Sequence, residues 1–280
     1  MRFSVRHLTW YRYDAPVRLG PHVLRLTPRP DQGDLHRHHI ELFPEPTSQR
    51  VADDAAGNRL LCVEFGDHCE ELRIESSFEL ETRPARPMPR DLLPLPWRHA
   101  EAVATGVGVS PEVKSFADAL AREVDGDAVG FLDRLAEHLH GRFDHHVRHT
   151  GDAWSAAETL ARGRGACRDI TLLFMDAARS QGLRSRFVSG YQAFAETIGG
   201  QRHLHAWPEA ELPGAGFRAW DPTHGTRVTD DHVSLCAAAT QAETMPVEGT
   251  LSTDAAALRS TLDFRLQIQA SSTSAEAGIA

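Results

Sequence analysis

With 280 residues the chain can bury one large core, or a core plus a smaller companion, and two units are expected. Its 39 acidic side chains outnumber 30 Lys and Arg for a net charge of -9, with no basic block to offset it, so nucleic acid and anionic membranes are not expected partners. No apolar run approaches the roughly 18 residues of a spanning helix, and the opening MRFSVRHLTWYRY alternates instead of offering a secretory apolar stretch, so the expected location is cytoplasmic.

Residues 1–83 read as strands. FSVRHLTWYRY alternates at period two, and RLLCVEF and ELRIESSFELE follow, with DDAAGN as a turn between strands. An antiparallel β domain is the expectation there. Residues 84–110 open with PARPMPRDLLPLP, whose prolines remove backbone donors and disfavour helix, so this stretch is expected to connect two domains. Helical spacing then takes over for a core placed at 111–269. Val113, Phe116, Leu120 and Val124 share one helix face, as do Phe131, Leu132, Leu135 and Leu139. SAAETLARG carries Ser155 and Glu158 at capping-box spacing and closes on Gly163.

The stretch GRGACRDITLLFMDAARSQGL, at 163–183, follows directly. Ile170, Leu173, Phe174 and Ala177 predict a further helix stopped by Gly182, with Cys167 in its first turn. Beyond it LRSRFVSGYQ, HLHAWPEAEL and GFRAWDPT read as three strands, the last two joined across PGAG. The order of helices followed by antiparallel strands predicts an α+β fold. The small polar end, 270–280, has nothing to bury and is expected to be disordered.

Cys167 admits two readings, a small core residue or a thiol held open for chemistry. A helix N-terminus favours the thiolate because its N–H groups and dipole stabilise negative charge, and Gly163 and Gly165 leave the backbone free to turn and the sulfur uncrowded. A nucleophilic thiol also needs a base and a group to orient it. His203 and His205, two apart on one strand face, are the candidate bases, and Asp221 at the end of the next strand is the candidate orienter. The four cysteines at 62, 69, 167 and 236 lack paired metal spacing, and a reducing compartment argues against a disulfide framework.

In this order GACRD, VSGY, HAW and DPT resemble the core signature of bacterial transglutaminase-like cysteine enzymes. YRYDAPVRLGPHVLRLTPRP and GNRLLCVEF resemble the N-terminal β domain that accompanies that core in one bacterial subfamily. The resemblance implies a papain-like helix packed on a sheet. It assigns the nucleophile to Cys167, the base and acid to His205, and the orienting carboxylate to Asp221. It implies cysteine-dependent acyl transfer on amide or peptide bonds through a thioester, with hydrolysis expected, no cofactor and no metal, and a peptide or amide substrate as partner. The alternatives are transfer to an amine, and a silent peptide-binding or assembly module.

Two departures from the family pattern stand out. Pro208 follows HAW, so the strand is expected to be interrupted or at an edge after Trp207. DHVSLCAAATQAE lacks the Arg-Asp-Tyr-like element common near that point. Of the remaining residues, Asp169 reads as a helix cap, Tyr191 as a buried tyrosine with a satisfied hydroxyl, and Trp207 and Trp220 as core flanking the site. Cys62, Cys69 and Cys236 read as structural. The histidine clusters at 36–39 and 145–149 read as solvated surface, because no acidic or cysteine ligand is interleaved.

Overall fold

The computed structural model describes residues 1–84, 108–124, 127–148, 151–194 and 202–272. Most of the 84–110 connection and residues 273–280 of the expected tail lie outside the described residues.

The N-terminal half is an antiparallel sheet built on one long strand, β1 (Arg2–Leu24), with β2 (Gly33–Phe43), β3 (Ser48–Asp53), β4 (Arg59–Glu64) and β5 (His68–Thr82) in the order β2-β5-β1-β4-β3. Alternation puts Phe3, Val5 and His7 of β1 inward with Leu72, Ile74, Phe78 and Leu80 of β5. The register between β1 and β5 slips between Arg12 and Val17, where β1 hands over from one set of neighbours to another.

The helices follow as α1 (Pro111–Arg122), α2 (Ala128–Arg142), α3 (Ala156–Arg162) and α4 (Cys167–Ser180), with the two-residue strands β6 (Asp144–His145) and β7 (Arg164–Gly165) between them. α3 starts where Ser155 Oγ accepts the Glu158 N–H at 3.2 Å. It stops at Gly163, whose φ of 61° is a left-handed cap that glycine adopts without strain. α4 buries Ile170, Leu173, Phe174 and Ala177 against Leu120, Phe131, Leu132 and Leu135, each full burial contributing on the order of 1.5–3 kcal/mol.

The second sheet runs β11-β10-β9-β8-β12, formed by β8 (Ser185–Gln192), β9 (His205–Leu212), β10 (Gly216–Asp221), β11 (Thr226–Arg227) and β12 (His232–Ala238). Pro208 does not interrupt β9, contrary to expectation. The strand runs on to Leu212, and the missing N–H falls just past the Ala219–Glu209 pair, where β10 no longer asks β9 for a donor.

Two further strands, β13 (Val247–Ser252) and β14 (Ser260–Ser271), correct the domain boundary read from the sequence. Both pair with β1 in the N-terminal sheet, β14 from Arg2↔Ser271 to Tyr13↔Ser260. Residues 247–269 therefore do not belong to the sheet of the core, and 270–271 extend a strand where a disordered tail begins in the sequence reading. The cause is long-range: β1 has a second edge that only another strand can satisfy.

The two halves share one hydrophobic cluster in which Phe3, Leu72 and Phe78 meet Tyr191, Val233 and Leu235. β12, at the edge of the core sheet, is closed from the N-terminal side. Asn58 Nδ2 donates to the Ala237 carbonyl at 2.9 Å, the Ala237 N–H donates to Asn58 Oδ1 at 2.8 Å, and the Arg29 N–H donates to the Ser234 carbonyl at 3.0 Å. No helix among the described residues is long and apolar enough to cross a membrane.

Candidate active site

Cys167 is the first residue of α4, and the N-cap before it, Ala166, has no side chain able to cap. Asp169 supplies the cap in reverse. Its Oδ2 accepts the Ala166 N–H at 2.8 Å, while Oδ1 accepts the Trp154 N–H at 2.8 Å and Arg148 Nη2 at 2.6 Å. Arg168 adds bonds from its guanidinium to the carbonyls of Arg148, at 2.8 Å, and Gly151, at 3.0 Å. The residues just after Cys167 thus hold Arg148, Gly151 and Trp154 beside it, and Asp169 is a cap as its position suggests.

Cys167 is partly exposed and meets His205, the first residue of β9. His205 Nε2 lies 2.8 Å from Asp221 Oδ2, so the ring nitrogen left for the sulfur is Nδ1. Asp221 closes β10 and is fully buried. All three sequence-predicted residues therefore come together. Burial works against a charged sulfur, but the hydrogen bond and charge of His205, the Ala206 N–H and the charge of Arg168 outweigh it and hold the Cys167 thiol below its ordinary value. Burial likewise opposes a charged His205, yet Asp221 and Cys167 raise it to about 10. Burial alone would raise Asp221, but its histidine partners hold it well below the usual carboxylate range. All three shifts run in the direction that favours a thiolate beside an imidazolium, with a carboxylate behind.

His203 precedes β9, and its ring lies 5.4 Å from Phe264. Tyr191 is buried and its hydroxyl meets His7 Nδ1 at 2.8 Å; Trp220 is buried with its indole N–H on Asp133 at 2.9 Å. Trp207 is buried, its ring 5.9 Å from His205.

Sequence reasoning missed two histidines. His224 Nδ1 lies 2.7 Å and His232 Nε2 3.0 Å from the same Asp221 Oδ2, and Oδ1 accepts the N–H groups of Thr223 at 3.0 Å and His224 at 3.3 Å. His224, three residues past Asp221 in a Pro-containing turn, was legible as a local partner; His232 was not, because its approach depends on β12. Ligand atoms of His205, Asp221 and His232 lie within 4.8 Å of one another, a spacing a metal ion can share. Both imidazole Nε2 atoms are already engaged by the carboxylate, which reads as a hydrogen-bond network.

Both halves of the chain resemble known proteins. Residues 3–81 match the family model described as the bacterial transglutaminase-like N-terminal region, and 114–222 match that of the transglutaminase-like superfamily. An uncharacterized protein of Mycobacterium leprae is 25% identical over 268 residues, covering 89% of this chain and 92% of the other. One from Mycobacterium tuberculosis is 25% identical over 278 residues, covering 90% and 88%. The crystal structure of a candidate cysteine protease from Cytophaga hutchinsonii superposes with a TM-score of 0.66 at 15% identity, covering 96% of this chain and 90% of that one, which shows the shared fold.

Proposed function

Because the chain belongs to the transglutaminase-like superfamily, with a bacterial transglutaminase-like N-terminal region ahead of its core, we propose that it catalyses cysteine-dependent acyl transfer on amide or peptide bonds, with water as the acceptor. The observation that carries this reading is His205 standing between the Cys167 thiol and the buried Asp221. The Cys167 thiolate attacks the carbonyl carbon, forming a C–S bond. The His205 imidazolium gives its proton to the departing nitrogen as the C–N bond breaks. His205, now neutral, takes a proton from water, whose oxygen attacks the thioester; the C–S bond breaks and the acid leaves with the thiolate restored. Backbone N–H groups at the start of α4 are the donors for the oxyanion.

The test is incubation with a peptide mixture, with and without a labelled primary amine, read by mass spectrometry alongside Cys167→Ala. Release of free acid that the variant loses, with an unchanged circular dichroism spectrum, is the expected result. Amine incorporation exceeding acid release would make the acceptor an amine. Equal activity in Cys167→Ala would end the proposal.

A further inference from the structure

His232 is 3% exposed, and both of its ring nitrogens face carboxylates: Nδ1 lies 2.7 Å from Asp231 Oδ1 and Nε2 lies 3.0 Å from Asp221 Oδ2. An ionised carboxylate only accepts, so both nitrogens must carry protons and the ring must be a cation. We propose that His232, an imidazolium bridging Asp221 and Asp231, is a positioning residue of the acyl-transfer site that fixes the Asp221 carboxylate and tempers its pull on His205. This rests on the reading of Cys167 and His205 as the reacting pair.

Three features make the bridge more than packing. Its place is set from outside the site, by pairing of His232 with Gln192 across β12 and β8 and by the Trp207 ring standing edge-on at 5.0 Å. Asp231 is itself anchored, since Thr229 Oγ1 donates to its Oδ1 at 2.8 Å. The cation also matters to the arithmetic of charge. Without it two buried or half-buried carboxylates would meet across one imidazole's width with no counter-charge between them.

The sign of the effect on His205 follows. The His232 and His205 rings are 6.1 Å apart, so a cation at 232 opposes a cation at 205, while Asp231 beyond it does the reverse. Most other charges around His232 are paired among themselves. It lines a cleft of about 690 Å³ with Arg186, Glu209, Arg227, Asp31, Arg83 and Arg218, the last donating to the carbonyls of Ala215 and Phe217. Arg186 is bonded to Glu209, Arg227 to Asp133, Arg83 to Asp34 and Asp31 to Arg29, so their fields at the bridge largely cancel. His224 Nδ1 meets the same Asp221 oxygen and is retained in every variant below.

The experiment follows Cys167 alkylation by iodoacetamide against pH in the full chain, with long-range ¹H–¹⁵N NMR of the imidazole rings. In the unaltered protein the His232 ring should hold both protons at pH 8. His232→Gln, which keeps a donor toward Asp221 without the charge, should move the alkaline limb assigned to His205 upward by roughly one pH unit. Asp231→Asn should move it downward by a similar amount. Opposite shifts are what a merely structural lesion does not produce, and either variant reads its own sign if the other fails to fold. A neutral His232 at pH 8, or limbs that stay in place, overturns the inference. An ordinary Cys167 pKa in the unaltered protein would instead overturn the acyl-transfer reading, while the ring signal still reports the bridge.

Discussion

His205 directs Nε2, not Nδ1, at Asp221, across 2.8 Å. That choice favours one tautomer: the proton on Nε2 is held by the carboxylate, and Nδ1 is the nitrogen left to face the sulfur.

Asp221→Asn should therefore cost more than a contact. An amide cannot hold the imidazolium, and in serine-protease triads the equivalent change lowers kcat by about 10⁴. A similar order is expected here for acid release, with KM little changed; a rate within tenfold of the unaltered protein would show Asp221 to be a turn residue.

The same pair sets a pH profile of stability. His205 is raised to about 10 in the fold, so its contribution is complete below its unfolded value of about 6.5 and is lost as pH rises through 10. Asp221 is depressed, so its contribution is present above about 3.8 and is lost as pH falls through its folded value. Cys167 is depressed as well, and its gain up to its unfolded value of about 8.5 offsets the loss from His205, so thermal unfolding should show Tm falling between about pH 8.5 and 10, and Asp221→Asn should flatten that slope. A Tm that rises toward pH 10 would contradict the charged pair.

Cys167 should be the first thiol to alkylate near neutral pH, with an apparent pKa below the free value of about 8.5. Burial pushes Cys69 upward and raises Cys236 to about 11. His205→Ala should raise the Cys167 value without a full return, because the Ala206 N–H, Arg168 and the helix start remain. Peptide mapping with Cys69 or Cys236 labelled before Cys167 would place this sulfur in the core.

Much of the site could be read from the chain because its signals are local. A cysteine after glycines at a helix start, a histidine opening a strand and an aspartate before Pro222 each carry their geometry within a few residues. The pieces that escaped depend on distant pairing. TLDFRLQIQ alternates as a strand should, but nothing local names β1 as its neighbour. His232 sits in an unremarkable DDHVSL and becomes a partner of Asp221 only when β12 joins β8. Pro208 misled in the other direction, since a residue that removes a donor is harmless where no acceptor waits.

Asp169→Ala should loosen the start of α4. It removes a buried carboxylate that accepts from Ala166, Trp154 and Arg148, and charged hydrogen bonds of this kind are worth about 1.5–3 kcal/mol each before relaxation. A drop of several degrees in Tm with a larger loss of kcat than of substrate affinity is expected. Denaturant titration within about 0.5 kcal/mol of the unaltered protein would show that Asp169 does not hold the helix start.

Gly190→Ala tests the VSGY glycine. A Cβ there would stand 2.1 Å from the Val233 carbonyl oxygen and 2.6 Å from Trp207 Cη2, next to His232. Overpacking of this sort costs about 1–3 kcal/mol. Urea unfolding should show it; an unchanged midpoint would mean β8 and β12 can part without penalty.

The pairing of β1 with β14 has a consequence for how the chain is made. Val5 and His7 leave the ribosome more than 250 residues ahead of their neighbours Ile268 and Leu266. One flank of β1, with alternating apolar side chains and open backbone groups, must wait while everything between the two strands is made. Contacts so far apart in sequence slow folding, and a waiting edge recruits other chains. Truncation before Ser260 should accordingly leave a product that aggregates rather than one that merely lacks a strand.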